Sequence, residues 1–237
     1  IFIFCKFSGM EFLENHFLYL SLMIFSISFP LFRSFENKIK YYTKWKFILK
    51  SILFVFLFFI PWDVLFTYLG IWSFNDKYNL GFNLLNLPIE EWLFFIVVPY
   101  ACLFIYEVLE FFFPINNQYN FPNYVCYLFC CVFLVFAILN YHKLYTLVCF
   151  ILTSLTFLYL SRLKNLSFFR TYFVTLIPFI LINGFLTGSF TSEAVVNYNP
   201  QHIIGFRVLN IPIEDFMYNF LLMFCSLFFY NHKIFKS

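Results

Sequence analysis

Charge is what this chain has least of. Of its 237 residues only 11% are charged, 15 Lys or Arg and 12 Asp or Glu, against 62% apolar and 27% aromatic. Soluble domains carry about 25% charged residues. A surface this poor in charge, with a mean hydropathy of +0.82, excludes an ordinary water-facing fold and points to an integral membrane protein. The net charge of +3 is small and dispersed, which argues against a nucleic-acid partner.

Glycine is also scarce. None of the six glycines sits in a Gly-x-Gly-x-x-Gly or Walker sequence, so no nucleotide or flavin domain is signalled and no cofactor is expected. The seven cysteines form neither a Cys-x-x-Cys pair nor a Cys/His spacing of zinc type. No metal site is expected, and the thiols read as buried in apolar runs. No signal peptide with a cleavage site is expected. Met10 reads as the start of the protein, and residues 1–9 as an upstream extension.

What is abundant is apolar sequence in runs of about twenty residues, the length that crosses a bilayer as helix. Seven are legible: Phe12 to Phe32, Phe47 to Leu69, Glu91 to Phe113, Tyr124 to Leu139, Leu144 to Leu160, Phe168 to Thr187 and Pro212 to Tyr230. Runs without strict alternation predict helices rather than barrel strands. The expected fold class is therefore all-α, a polytopic membrane helix bundle. Basic residues set its orientation. Arg33, Lys38, Lys40, Lys44, Lys46, Lys50, Arg162, Lys164, Arg170, Lys233 and Lys236 fall on one side, against Lys6, Lys77, Lys143 and Arg207 on the other. That predicts an external N-terminus and a cytoplasmic C-terminus.

Against this background the few carboxylates stand out, because four of them recur. Gly81-Phe82 and Asn86-Leu87-Pro88-Ile89-Glu90-Glu91 return 124 positions later as Gly205-Phe206 and Asn210-Ile211-Pro212-Ile213-Glu214-Asp215. At the same offset Phe74-Asn75 matches Tyr198-Asn199, and Tyr106 matches Tyr230; upstream the offset is 120, pairing Asp63 with Asn183 and Thr67 with Thr187. Spans one to three thus correspond to spans five to seven. With span four as connector, the two units must enter the membrane in the same direction, as parallel repeats. The expected organisation is a first three-helix unit over 10–116, a connector helix over 117–141 and a second unit over 142–237.

Proline disfavours helix at the residue before it and suits a first helical turn, so both acid pairs are placed at the starts of spans three and seven. Carboxylates there gain about 0.3–1 kcal/mol from the helix dipole. Capping alone does not explain why the preceding loop motif recurs as well. Adjacent carboxylates near an apolar cavity make a proton donor. Neighbours about 100° apart on a helix cannot both face inward. Glu90 and Glu214 are expected to face the cavity, with Glu91 and Asp215 orienting or tuning them. Asp63 and Asn183 lie about 20 Å above the cytoplasmic edge at ~1.5 Å per residue; an ionisable residue in a span is a functional candidate. Tyr68, Trp72, Trp92, Tyr198 and Tyr218 offer ring faces to a cation or, as the competing reading, an interfacial belt. Arg207 reads as a salt-bridge partner for Glu214 or Asp215. Glu107 and Glu110, about 25 Å from Glu90, read as interfacial.

These residues carry a resemblance. Asp63-x-x-x-Thr67, Gly70-Ile71-Trp72-Ser73-Phe74-Asn75, Leu87-Pro88-Ile89-Glu90-Glu91-Trp92 and Pro99-Tyr100 resemble the first unit of the flavin-independent membrane lycopene cyclases. Asn183-Gly184-x-Leu186-Thr187-Gly188, Tyr198-Asn199-Pro200, Gly205-x-Arg207 and Ile211-Pro212-Ile213-Glu214-Asp215-x-x-Tyr218 resemble the second. The resemblance implies carotenoid biosynthesis in a bacterial inner membrane. A carboxylic acid protonates the end of lycopene, the cation closes a ring, and a base removes a proton, without net redox chemistry. It implies Glu90, Glu91, Glu214 and Asp215 as the functional acids, with Asp63 and Asn183 secondary. The implied partners are lycopene, membrane lipid and other carotenoid-pathway membrane enzymes. Two other readings stay open. A membrane prenyltransferase would hold diphosphate through Mg²⁺ on clustered Asp, but no Asp-x-x-x-Asp occurs. A lipophile carrier would use the acids for proton coupling.

Overall fold

The computed structural model of the chain describes residues 16–115, 121–163 and 166–230. The proposed 1–9 extension, Met10, Lys6, Lys164, Lys233 and Lys236 lie outside the described residues. Seven helices appear among those described: α1 (Leu18–Arg33), α2 (Trp45–Tyr68), α3 (Ile89–Phe112), α4 (Asn123–Leu139), α5 (Leu144–Leu160), α6 (Leu166–Leu186) and α7 (Ile213–Tyr230). Counting the 3-10 turn Tyr41–Lys44 with α2, four of them (α2, α3, α6 and α7) are long and apolar enough to cross a membrane. Helices α1, α4 and α5 are apolar but have 16 or 17 residues. Such a length rises about 25 Å, somewhat under the ~30 Å hydrocarbon core. The chain is an all-α membrane bundle. Its outer face carries Phe32, Leu57 and Ile177 at 81%, 65% and 73% exposure, a density of exposed apolar surface that only lipid makes stable.

The little extended structure lies between helices and repeats with them. Strands β1 (Trp72–Phe74), β2 (Asn83–Leu84) and β3 (Leu87–Pro88) precede α3, and β4 (Val196–Tyr198), β5 (Arg207–Val208) and β6 (Ile211–Pro212) precede α7. The β2–β3 and β5–β6 hairpins are closed by Leu85-Asn86 and Leu209-Asn210. All four of these residues have φ between 49° and 62°. Positive φ at both central positions defines the I′ turn, whose twist matches tight hairpins. Leucine is a costly residue there. The turn asparagines anchor the hairpins, Asn86 Nδ2 donating to the Val64 carbonyl and Asn210 Nδ2 to that of Gly188. Each hairpin runs directly into a proline that opens the next helix, which is how the acid pairs reach the first turns of α3 and α7.

Strands β1 and β4 reveal the relation between the two halves. They pair antiparallel, with Ser73 opposite Asn197 and Trp72 opposite Tyr198. Ser73 and Asn197 are themselves 124 positions apart, so each strand pairs with its own repeat. Two equivalent strands pair antiparallel only about a two-fold axis through the pair. The flanking bonds obey the same operation: Asn75 N–H donates to the Val195 carbonyl and Asn199 N–H to that of Ile71, both at 2.8 Å. Helix packing agrees, since α2 lies against α7 and α3 against α6, while α1 packs on α3 and α5 on α7; α4 docks on α5. At the end of the bundle away from the strands, Lys44 pairs with Glu107 and Arg170 with Glu110. Both acids are therefore at the basic end of the bundle.

Candidate active site

At the strand end of the bundle, the two acids of each pair part company. Glu90, fully buried, turns toward its own loop, where Oε1 accepts the Leu80 backbone N–H at 2.7 Å. Glu214 repeats this with Ile204 N–H at 2.7 Å and adds the Thr146 hydroxyl at 2.6 Å. The second acid of each pair, a rotation of about 100° away, faces the interior. Glu91 accepts the Tyr19 hydroxyl at 2.5 Å. Asp215 accepts three donors: the hydroxyls of Tyr145 and Tyr198, each at 2.8 Å, and Asn183 Nδ2 at 3.0 Å. Glu91 and Asp215 line a cavity of about 60 Å³ with Asp63, and Glu90 and Glu214 do not. The expectation that the first acid of each pair faces the cavity is thus corrected. The loop's backbone N–H groups lie on the side of the first acid and capture it, so it fastens the loop and the second acid is left to the cavity.

Asp63 is 3% exposed, and its Oδ2 has no hydrogen-bond partner. Burying an ionised carboxylate without a partner is strongly unfavourable. Glu91 is the charge acting most on it. Its repeat counterpart Asn183 donates to Asp215, so the Asp63/Asn183 difference seen in the sequence separates two unlike carboxylate environments. In one, two acids sit together, with the Tyr19 phenol on Glu91 and the Trp72 indole beside Asp63. In the other, one carboxylate is surrounded by three donors. Among the described residues no three His, Cys, Asp or Glu side chains converge in a way that would hold a metal ion.

Aromatic rings wall this cluster. Trp72, Tyr145, Tyr198 and Tyr218 line the cavity, with centroids of Trp72 and Tyr145 5.1 Å apart, and Tyr145 and Tyr198 stacked at 6.1 Å. The Trp72 indole donates to Thr67 Oγ1, which fixes the ring among Phe66, Tyr145, Tyr198 and Tyr218. Tyr198 stands on β4, outside the spans. Burial of its hydroxyl, reinforced by the Asp215 carboxylate, holds that phenol well above its usual value, so it remains a donor. Three expected residues are elsewhere. Tyr68 is 80% exposed on the outer face. Trp92 turns from the cavity to donate to the Leu84 carbonyl. Arg207 pairs with neither Glu214 nor Asp215. Exposed on β5, it lies over the Tyr198 ring at 5.8 Å and donates to the Asn210 carbonyl, because Glu214 is already occupied by the loop.

Tyr19, Tyr145 and Asn219 belong to the cavity without having been singled out in the sequence. A signal existed for the tyrosines: Tyr19 and Tyr145 stand at the starts of equivalent spans, 126 positions apart. Different loop lengths move that offset from 124 and hide it. Asn219 replaces Phe95 of the first unit, and its Nδ2 is buried without a partner. It also lines a second, apolar cavity of about 350 Å³ between α1, α3 and α6. Phe94, Phe179, Asn183 and Asn219 are common to both cavities.

Fold and site together define a membrane-embedded helical protein of two related units, with acid–base groups and aromatic faces gathered at one end. The family model described as lycopene cyclase matches residues 16–109 and again residues 142–233, and the chain belongs to the lycopene cyclase family. The two matched ranges omit α4, in keeping with a fused two-unit chain. No curated protein and no solved structure matches it. Membership makes the protein a carotenoid cyclase, an enzyme with a carotenoid substrate.

Proposed function

We propose that the protein converts lycopene through γ-carotene to β-carotene, with Glu91 and Asp63 as the proton-donating pair and Asp215 as the ionised counterpart. The observation that carries this reading is the unequal supply of donors. Two buried carboxylates side by side without a cation cannot both be ionised, so the Asp63/Glu91 pair retains a proton. A carboxylate accepting three neutral donors is stabilised as the anion, which describes Asp215.

The steps follow from that inequality. The carboxyl O–H protonates the terminal double bond of the polyene, leaving a tertiary carbocation. The π electrons of a double bond further along attack it, one C–C bond forms, and the positive charge moves to a ring carbon. Loss of the adjacent C–H proton to Asp215 restores a double bond in the ring. The product is an isomer of the substrate, and proton exchange between the two carboxylate groups resets the site. Ring faces of Trp72, Tyr145, Tyr198 and Tyr218 stabilise the cation by roughly 0.5–2 kcal/mol each, and the apolar walls exclude water that would trap it.

Glu90 and Glu214 act in this scheme as positioning residues, fixing the loops on which the cavity depends. The two three-helix units are taken as 10–116 and 142–237 with a connector between them. The distribution of Lys and Arg supports a cytoplasmic basic end, with the carboxylate cluster toward the other face.

Expression in a bacterial host that accumulates lycopene tests the reading. Chromatography of the pigments is expected to show γ- and β-carotene. Lycopene left unchanged by a well-expressed, membrane-inserted protein would refute it.

A further inference from the structure

The two halves share one plan, and among the described residues an apolar cavity lies beside the carboxylates between α1, α3 and α6. Its outer edge is formed by Phe25 and Phe29 of α1 and Leu181 of α6, exposed at 65%, 65% and 45% on the lipid-facing surface. Its inner end is Asn183 and Asn219, at the wall of the polar cavity. The volume of about 350 Å³ is of the size that holds part of an apolar ligand, whereas the 60 Å³ of the carboxylate cavity has room for little more than water. An end group long enough to cyclise therefore needs the apolar space.

The repeat shows what happened to the equivalent space between α5, α7 and α2. Ile182, Phe94 and Asn219 of the open half correspond to Trp62, Tyr218 and Phe95. In the second half these larger rings, with Phe59, meet directly. Trp62 and Tyr218 are 5.0 Å apart, Phe59 and Tyr218 5.2 Å, and Phe59 and Trp62 5.8 Å. Phe59 and Phe95 are fully buried and Trp62 is 8% exposed, all in one core cluster. Further along, Phe54 stacks on Phe229 at 4.0 Å. One access route is open, and packed rings occupy the equivalent positions of its twin.

Resting on the carotenoid cyclase reading above, we infer that the polyene enters from the lipid through the groove between α1, α3 and α6. Only one end reaches the carboxylates at a time. The second end is cyclised after the monocyclic product has withdrawn, turned and re-entered by the same groove. Asn219, at the neck, positions the end group.

Wild type, Ile182→Trp, Ala101→Leu and Cys225→Leu provide the test. Ile182→Trp copies the plug into the open half. Ala101 lines the groove, and Cys225 is its counterpart in the filled half. Each protein is purified in detergent, checked for monodisperse elution, and assayed for bound lycopene and for conversion over time. Ile182→Trp is expected to lower both readings at least tenfold and Ala101→Leu at least threefold, with Cys225→Leu within twofold of wild type. In wild type with lycopene in excess, free γ-carotene should build up before β-carotene. Wild-type binding in monodisperse Ile182→Trp and Ala101→Leu would overturn the groove assignment. β-Carotene appearing from the first turnover without free γ-carotene would overturn the one-end-at-a-time order. A wild type that binds lycopene but leaves it unconverted would refute the cyclase reading, and the groove would then be judged on bound pigment alone.

Discussion

Glu91 and Asp215 differ less in chemistry than in company, and the residue-scale predictions follow from that difference. Glu91→Gln and Asp215→Asn each preserve shape and remove the titrating oxygen. Each is expected to lower cyclisation at least 100-fold, about 2.7 kcal/mol of barrier, with protein levels in the membrane unchanged. Glu90→Gln and Glu214→Gln keep an oxygen for the loop N–H groups and are expected to stay within tenfold of wild type; pigment chromatography normalised to membrane protein separates the two classes. Asn183→Asp removes a donor from Asp215 and adds a like charge beside it, so conversion is expected to fall at least tenfold, read in the same assay. Adjacent carboxylates were legible in the sequence because carboxylates are so rare there. Which member of each pair faces inward was not. That choice depends on the Leu80 and Ile204 amides, whose positions are set by the hairpins and not by any residue type.

At the scale of elements, the loop–hairpin–helix unit before α3 and α7 is the device that holds the site. Its turn takes positive φ, and the turn asparagine, Asn86 or Asn210, ties it to the Val64 or Gly188 carbonyl. In the second unit Gly188 closes α6 at φ +82°, and a Cβ there would lie 3.1 Å from the Ala194 backbone nitrogen. Gly188→Ala is therefore expected to destabilise the protein by about 1–3 kcal/mol, seen as a lower thermal midpoint in detergent. The helix positions were readable from apolar runs, since only lipid-length segments without charge behave this way. The β1–β4 pairing was not readable: three-residue strands leave no periodic trace, and their partner is 124 positions away.

For the whole molecule, the halves meet through β1–β4 and through the α2–α7 and α3–α6 contacts, none of which requires an unbroken chain. We propose that a chain cut within 116–120 and co-expressed as two pieces regains cyclase activity in a lycopene-accumulating host, whereas either piece alone does not; colour and chromatography of the extracted pigments report it. The reason is compositional. Glu91 and Asp63 come from the first unit, and Asp215, Tyr145 and Tyr198 from the second, so neither piece carries the whole cluster.

Taken alone, the sequence determined the membrane setting, the apolar helices, the repeat, the four paired acids and the Asp63/Asn183 inequality. These rest on local composition and on spacing along one chain. Only the tertiary structure decided which acid turns inward, that Tyr19 and Tyr145 serve the two carboxylates, that Arg207 stands apart, and that one of two equivalent grooves is filled. Those outcomes depend on rotation about a helix axis and on the volumes of side chains that meet across a two-fold, and linear order records neither.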